Sequence, residues 1–152
     1  MNRLVIIALL AFLAVVALAN RGTAQILCAG CEGSETSSQT TTLGVKWVSV
    51  VVTVADGFCQ DGETGCVSHP CEWTATRAWG GQSNGAKIDL CVHTIGGTTV
   101  CRDPQPTVDS TGAGSDTESD YVRCGATKQI SITIGTLSAQ GTASCTSCGL
   151  AY

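Results

Sequence analysis

Beyond residue 42, apolar and polar side chains alternate with a period of two along most of the chain, the pattern of strands with one buried face. The clearest stretch is residues 43–55, where Val48, Val50, Val52 and Val54 share a face and Trp47, Ser49, Val51 and Thr53 share the other. Residues 71–79 place Trp73, Ala75, Arg77 and Trp79 together. Residues 86–94 set Ile88, Leu90 and Val92 against Lys87, Asp89, Cys91 and His93, and residues 128–136 turn Ile130, Ile132 and Ile134 inward. Shorter strands are expected at 98–101, 121–124 and 140–145. Three segments break the pattern: a polar lead-in loop at 33–42, a cysteine-bearing loop at 56–70, and a mobile surface loop at 102–120 that holds Pro104 and Pro106. No helical period follows the leader. Six or seven short strands separated by turns predict an all-β domain, either a two-sheet sandwich, immunoglobulin-like by architecture, or a small barrel.

One register is predicted in detail. If Ile95-Gly96-Gly97 forms a three-residue hairpin loop with Gly97 in the left-handed position, Val92 faces Val100 and Cys91 faces Cys101. The apolar pattern and the cysteine pair agree, and a slip of one residue would break both.

The first residues carry a different signal. Met1-Asn2-Arg3 is a basic start, and residues 4–19 are an apolar run ending in small side chains. This is the pattern of a signal peptide with cleavage after Ala19 or, preferably, after Ala24, which leaves a mature domain of residues 25–152. A run of sixteen residues reaches about 24 Å as a helix, short of the roughly 30 Å hydrocarbon core. Contact with a membrane is therefore expected only if the leader stays uncleaved.

Export changes the meaning of the ten cysteines: Cys28, Cys31, Cys59, Cys66, Cys71, Cys91, Cys101, Cys124, Cys145 and Cys148. An even number in an exported domain reads as a disulfide framework with no free thiol. The matched Cys-x-x-Cys pairs suggest that Cys28 and Cys31 join Cys145 and Cys148, in antiparallel or parallel order. Cys59, Cys66, Cys71 and Cys124 then have three possible pairings. A tetrahedral four-cysteine zinc site is the metal alternative. A redox-active pair would need a helix start or basic flanks to lower a thiol pKa, and neither motif has them.

Charge narrows the partners. The leader takes Arg3 and Arg21 from the eight basic residues, leaving six against twelve acids with no basic stripe. Nucleic acid is disfavoured, and an extracellular protein or glycan is the expected kind of partner. The two histidines, His69 and His93, form no catalytic motif, although Asp89 and His93 share a strand face. The acids Asp56, Asp61 and Glu63, and the group Asp109, Asp116, Glu118 and Asp120, lack the fixed steps of a calcium loop. No cofactor is expected. The resulting expectation is a secreted or envelope-associated structural or binding module without catalytic activity. The alternatives are a small extracellular enzyme with a loop-borne active site, or a four-cysteine metal-binding domain.

Overall fold

β-Branched and alternating segments form β structure throughout the part of the chain that the computed structural model describes, residues 31–61 and 66–146, with 59–61 and 66–68 described by their backbone. The leader, Cys28 and Cys148 lie outside the described residues. In chain order the strands are β1 (Ser37–Leu43), β2 (Lys46–Val54), β3 (Phe58–Asp61), β4 (Cys66–His69), β5 (Cys71–Gly80), β6 (Ile88–Thr94), β7 (Thr99–Cys101), β8 (Gly114–Val122), β9 (Thr127–Ile134) and β10 (Leu137–Ser144). Two four-stranded sheets, ordered β1-β2-β5-β8 and β10-β9-β6-β7, are accompanied by the β3-β4 pair. All strand pairs are antiparallel.

The inward faces are those that alternation predicts. Val48, Val50 and Val52 meet Ile130, Ile132 and Ile134 in one core with Ile88 and Leu90, and Trp73 is its largest wholly buried side chain. Two hairpins close through two-residue loops that begin with Gly44 at φ 61° and Gly135 at φ 60°. Glycine in the first loop position gives the turn whose twist suits a hairpin. The β6–β7 register is the predicted one, with Cys91 opposite Cys101 and Val92 opposite Val100. The left-handed residue, however, is Gly96 at φ 76° rather than Gly97.

Three segments expected to be loops contain strands, each for its own reason. The polar lead-in holds β1, whose Ser and Thr residues form an edge strand against β2 and therefore need no apolar face. The loop at 56–70 folds back on itself as the β3-β4 pair. The stretch at 102–120 contains most of β8, whose inward face is acidic instead of apolar, so a hydrophobic alternation never appears.

The two lateral sides of the sandwich are finished differently. On one, β1 covers the free edge of β10: the backbone N–H groups of Gln140, Thr142 and Ser144 donate to Gln39 Oε1, Ser37 Oγ and Ser34 Oγ at 2.7, 3.1 and 3.1 Å. The alternation of polar side chains before and along β1 thus satisfies an edge that would otherwise invite pairing with another chain. The close approach needs a small residue on β10, since a Cβ on Gly141 would stand 2.5 Å from Val52 Cγ2 and 3.2 Å from Val50 Cγ1. Gly141→Val is expected to lower stability by roughly 1–3 kcal/mol, the range for overpacking a filled core, read as a lower urea midpoint. An unchanged midpoint would show that the β2–β10 contact is not tight.

Candidate functional site

Of the ten cysteines, six have described side chains, and each of these six is in a disulfide. Cys91 bonds Cys101 across β6 and β7 on the outer face, as the hairpin register requires. The expectation for the two ends is overturned at the two members described: Cys31 bonds Cys124, and Cys145 bonds Cys71. The end segments do lie side by side and antiparallel, with Gly33 opposite Cys145 and the Glu32 and Thr146 backbones hydrogen-bonded. That register places Cys145 opposite a glycine, so Cys31 finds its partner in the β8–β9 connection instead. The sulfurs of Cys31, Cys124 and Cys145 lie within 4.8 Å of one another, and Cys124 Sγ and Cys145 Sγ are 3.6 Å apart. Oxidised as two disulfides they have no thiolates to offer a metal, so the alternative zinc set of Cys28, Cys31, Cys145 and Cys148 gains no ligand from the two members described. Cys59 and Cys66 fall on β3 and β4, and their side chains lie outside the described residues, as do Cys28 and Cys148.

The side of the sandwich opposite the β1–β10 closure is open, and its chemistry comes from β8. Antiparallel pairing sets Asp116 opposite Arg77, Glu118 opposite Ala75 and Asp120 opposite Trp73, so all three acids share the inward face. Arg77 is wholly buried on β5 and donates to Asp116 at 3.3 Å and to Glu118 at 2.8 Å. Two further cations come from the opposite sheet and its margin. Arg102, just after β7, makes a two-pronged pair with Asp116, and Lys128 on β9 reaches Asp120 at 3.2 Å while lying 5.9 Å from the Trp73 ring centre. The mouth is therefore bridged by ion pairs near its two ends.

Below these bridges runs a trough made of two adjoining cavities that share Thr94 and Lys128. One, of about 250 Å³, has Leu90, Val92 and Val100 as its apolar lining beside Arg102, Glu118 and Asp120. The other, of about 400 Å³, lies toward Pro70, Tyr121, Arg123 and Ala126. The trough is open to solvent: Val100 is 68% exposed although it points to the core side of its sheet, and Tyr121 is 55% exposed.

Two groups along it have shifted pKa values, Arg102 and Asp120. The Asp116 carboxylate raises the Arg102 guanidinium pKa further above its ordinary value, against a smaller opposing effect of burial. Burial pushes the Asp120 carboxyl up, but the Tyr121 backbone N–H and Lys128 together outweigh it and hold the group below the usual aspartate range. A carboxylate held ionised is suited to pairing and unsuited to general-acid work near neutral pH.

The other sequence candidates do not converge. His93 Nδ1 is 2.9 Å from Thr99 Oγ1 while Asp89 pairs with Gln105, so the two residues on one strand face have separate partners. His69 stacks on Phe58 with ring centres 3.9 Å apart. Asp56 accepts the Gly33 N–H at 2.8 Å, and Asp109 is bound into its own turn, its carboxyl pKa lowered chiefly by the Thr111 hydroxyl. Asp61 and Glu63 have side chains outside the description. Asp116, Glu118 and Asp120 are committed to cations rather than gathered around an empty centre. The trough itself went unseen in the sequence because its walls come from β6, β7, β8 and β9. The signal was nevertheless present: acids at every second position, 116, 118 and 120, match the arginine at an inward position of β5.

Two expectations follow from this geometry. Replacing both Cys71 and Cys145 by alanine should cost more stability than replacing Cys91 and Cys101, because their sequence separations are 74 and 10 residues. The loop-entropy model gives roughly 4–5 kcal/mol for the longer closure taken alone and about 3 kcal/mol or less for the shorter; thermal unfolding of the two double variants checks the order. Asp116→Ala should cost about 3–5 kcal/mol by leaving the buried guanidinium half paired, whereas Asp120→Ala, whose side chain is 57% exposed, should cost no more than about 1 kcal/mol. Equal losses in urea unfolding would show that Arg77 does not depend on Asp116. Compared with known protein families, with curated proteins and with solved structures, the chain matches none of them.

Proposed function

We propose that this chain is a secreted or envelope-associated binding module without catalytic activity, and that the open trough between β7 and β8 is its binding face. The observation carrying this reading is the exposed aliphatic floor at Val100 beneath a rim of committed ion pairs. An apolar surface that a sandwich could have covered, rimmed by polar groups, is the usual character of a contact site. The alternative of a small enzyme would need a carboxyl or imidazole poised to exchange a proton. Within the trough, Asp120 is instead engaged by Lys128, and its carboxyl pKa is lowered. The disulfides suit an oxidising extracellular or periplasmic compartment. Among the described residues no helix is long and apolar enough to cross a membrane.

An immunoglobulin-like architecture belongs to the same reading. The order β10-β9-β6-β7 corresponds to the G-F-C-C′ sheet of a variable-type domain. In the other sheet β5, reached through the β3-β4 pair, takes the place beside β2 that strand E occupies in such a domain.

The test is to screen residues 25–152, wild type and Val100→Asp, against arrays of glycans and of peptides, with cell fractionation to locate the native chain. Specific binding that weakens about tenfold or more in Val100→Asp, a loss of roughly 1.4 kcal/mol, is the expected result, with the chain recovered outside the cytoplasm. Binding indifferent to that substitution, or turnover of ester, glycoside or peptide substrates, would overturn the reading.

A further inference from the structure

Every ion along the smaller cavity has a partner: Asp116 with Arg77 and Arg102, Glu118 with Arg77, and Asp120 with Lys128. Arg123 differs. It is exposed at the larger cavity and has no ion-pair partner among the described residues. That cavity is lined by Pro70, Thr94, Tyr121, Arg123, Ala126 and Lys128, and by no carboxylate. In a chain with twelve acids and eight bases, a guanidinium without an ion-pair partner, sharing a cavity with a lysine already paired to Asp120, leaves this end of the trough with one unneutralised positive charge. The uncommitted charge of the trough is thus a cation, and it adjoins an aliphatic floor through the shared residues Thr94 and Lys128.

We propose that the trough binds an aliphatic carboxylate, with the carboxylate seated at Arg123 beside Lys128 and the tail lying over Val92 and Val100. This rests on the reading of the trough as a binding face and names the class of ligand that fits it. A guanidinium receives a carboxylate through two parallel hydrogen bonds, which fixes orientation as well as charge. The tail covers Val100, the most exposed of the aliphatic residues lining the trough. A cationic head finds no such place, since Glu118 and Asp120 are already engaged by Arg77 and Lys128. The same chemistry is presented by a fatty acid and by the free C-terminus of an apolar peptide.

Calorimetric titration of residues 25–152 with octanoate, octylamine, N-acetyl-divaline and its C-terminal amide tests the proposal and separates the two sources. Octanoate, the divaline acid or both should bind, while octylamine and the amide bind at least tenfold more weakly. Preference for octanoate points to a lipid source, and preference for the divaline acid to a protein terminus. Arg123→Gln and Val100→Asp, both at exposed positions, should each lower the affinity about tenfold while leaving the melting temperature within a few degrees of wild type. Octylamine binding as tightly as octanoate, no binding of either acid, or an Arg123→Gln variant with unchanged affinity would overturn the proposal. If the arrays show glycan or peptide binding that depends on Val100 while neither acid binds, the assignment of ligand class fails and the trough remains the binding face.

Discussion

A guanidinium with no exposure to solvent organises one whole side of this protein. Arg77 occupies an inward position of β5 in series with Trp73 and Ala75, where the alternation of the strand demands an apolar residue. Desolvating such a charge is tolerable only when opposite charges meet it with good geometry, and β8 provides them with Asp116 directly across and Glu118 one step along the same face. The consequence reaches beyond the pair. A strand with an acidic inward face cannot seal a hydrophobic sandwich, so the edge beside β7 stays open, and Asp116 and Asp120 draw Arg102 and Lys128 from across the gap. The trough is what remains between those bridges.

The opposite side shows what closure looks like in the same molecule. There the inward residues of β10 are Leu137, Ala139, Gly141 and Ala143, small enough in the last three positions for β2 to come close. Side chains before and along β1 take up the backbone donors of β10. Edge protection is thus achieved by two means: neutral side chains that satisfy the backbone on one side, and inward charge that discourages pairing with another strand on the other. The second leaves Val100 exposed beside the ion pairs, and the proposed binding face lies there.

The cross-links fit this division of labour. Cys71–Cys145 ties β5 in one sheet to the residue following β10 in the other, and Cys31–Cys124 ties the segment before β1 to the β8–β9 connection. The two lie together, with the sulfurs of Cys124 and Cys145 3.6 Å apart. A core of valine and isoleucine with few aromatics gains from constraints that shrink the unfolded ensemble, and the long loops closed here are those for which that effect is largest.

The strands of the central core were legible in the sequence because burial of one face imposes a period of two, and Val48, Val50, Val52, Ile130, Ile132 and Ile134 carry it without interruption. The Cys91–Cys101 hairpin was legible because a short loop fixes register locally, so two independent patterns had to coincide. β1 and most of β8 were not: β1 is held by its neighbour's backbone, and β8 turns acids inward ahead of Val122, toward an arginine almost forty residues away in the chain. The pairing of Cys31 and Cys145 failed for a related reason. Equal spacing of two motifs specifies that they can be aligned, but the register is set by the backbone ladder that places Gly33 against Cys145, and that ladder depends on how the two sheets pack. The sequence by itself determined which faces of the central strands are buried, the register of the Cys91–Cys101 hairpin and that the described cysteines are built for cross-linking, all consequences of local periodicity and composition. Only the tertiary structure decided the partners of Cys31, Cys71, Cys124 and Cys145 and brought Arg102, Lys128, Glu118 and Asp120 to one open trough beside the buried Arg77, because pairing over such separations is chosen by the packing of the whole domain and not by the spacing of neighbouring residues.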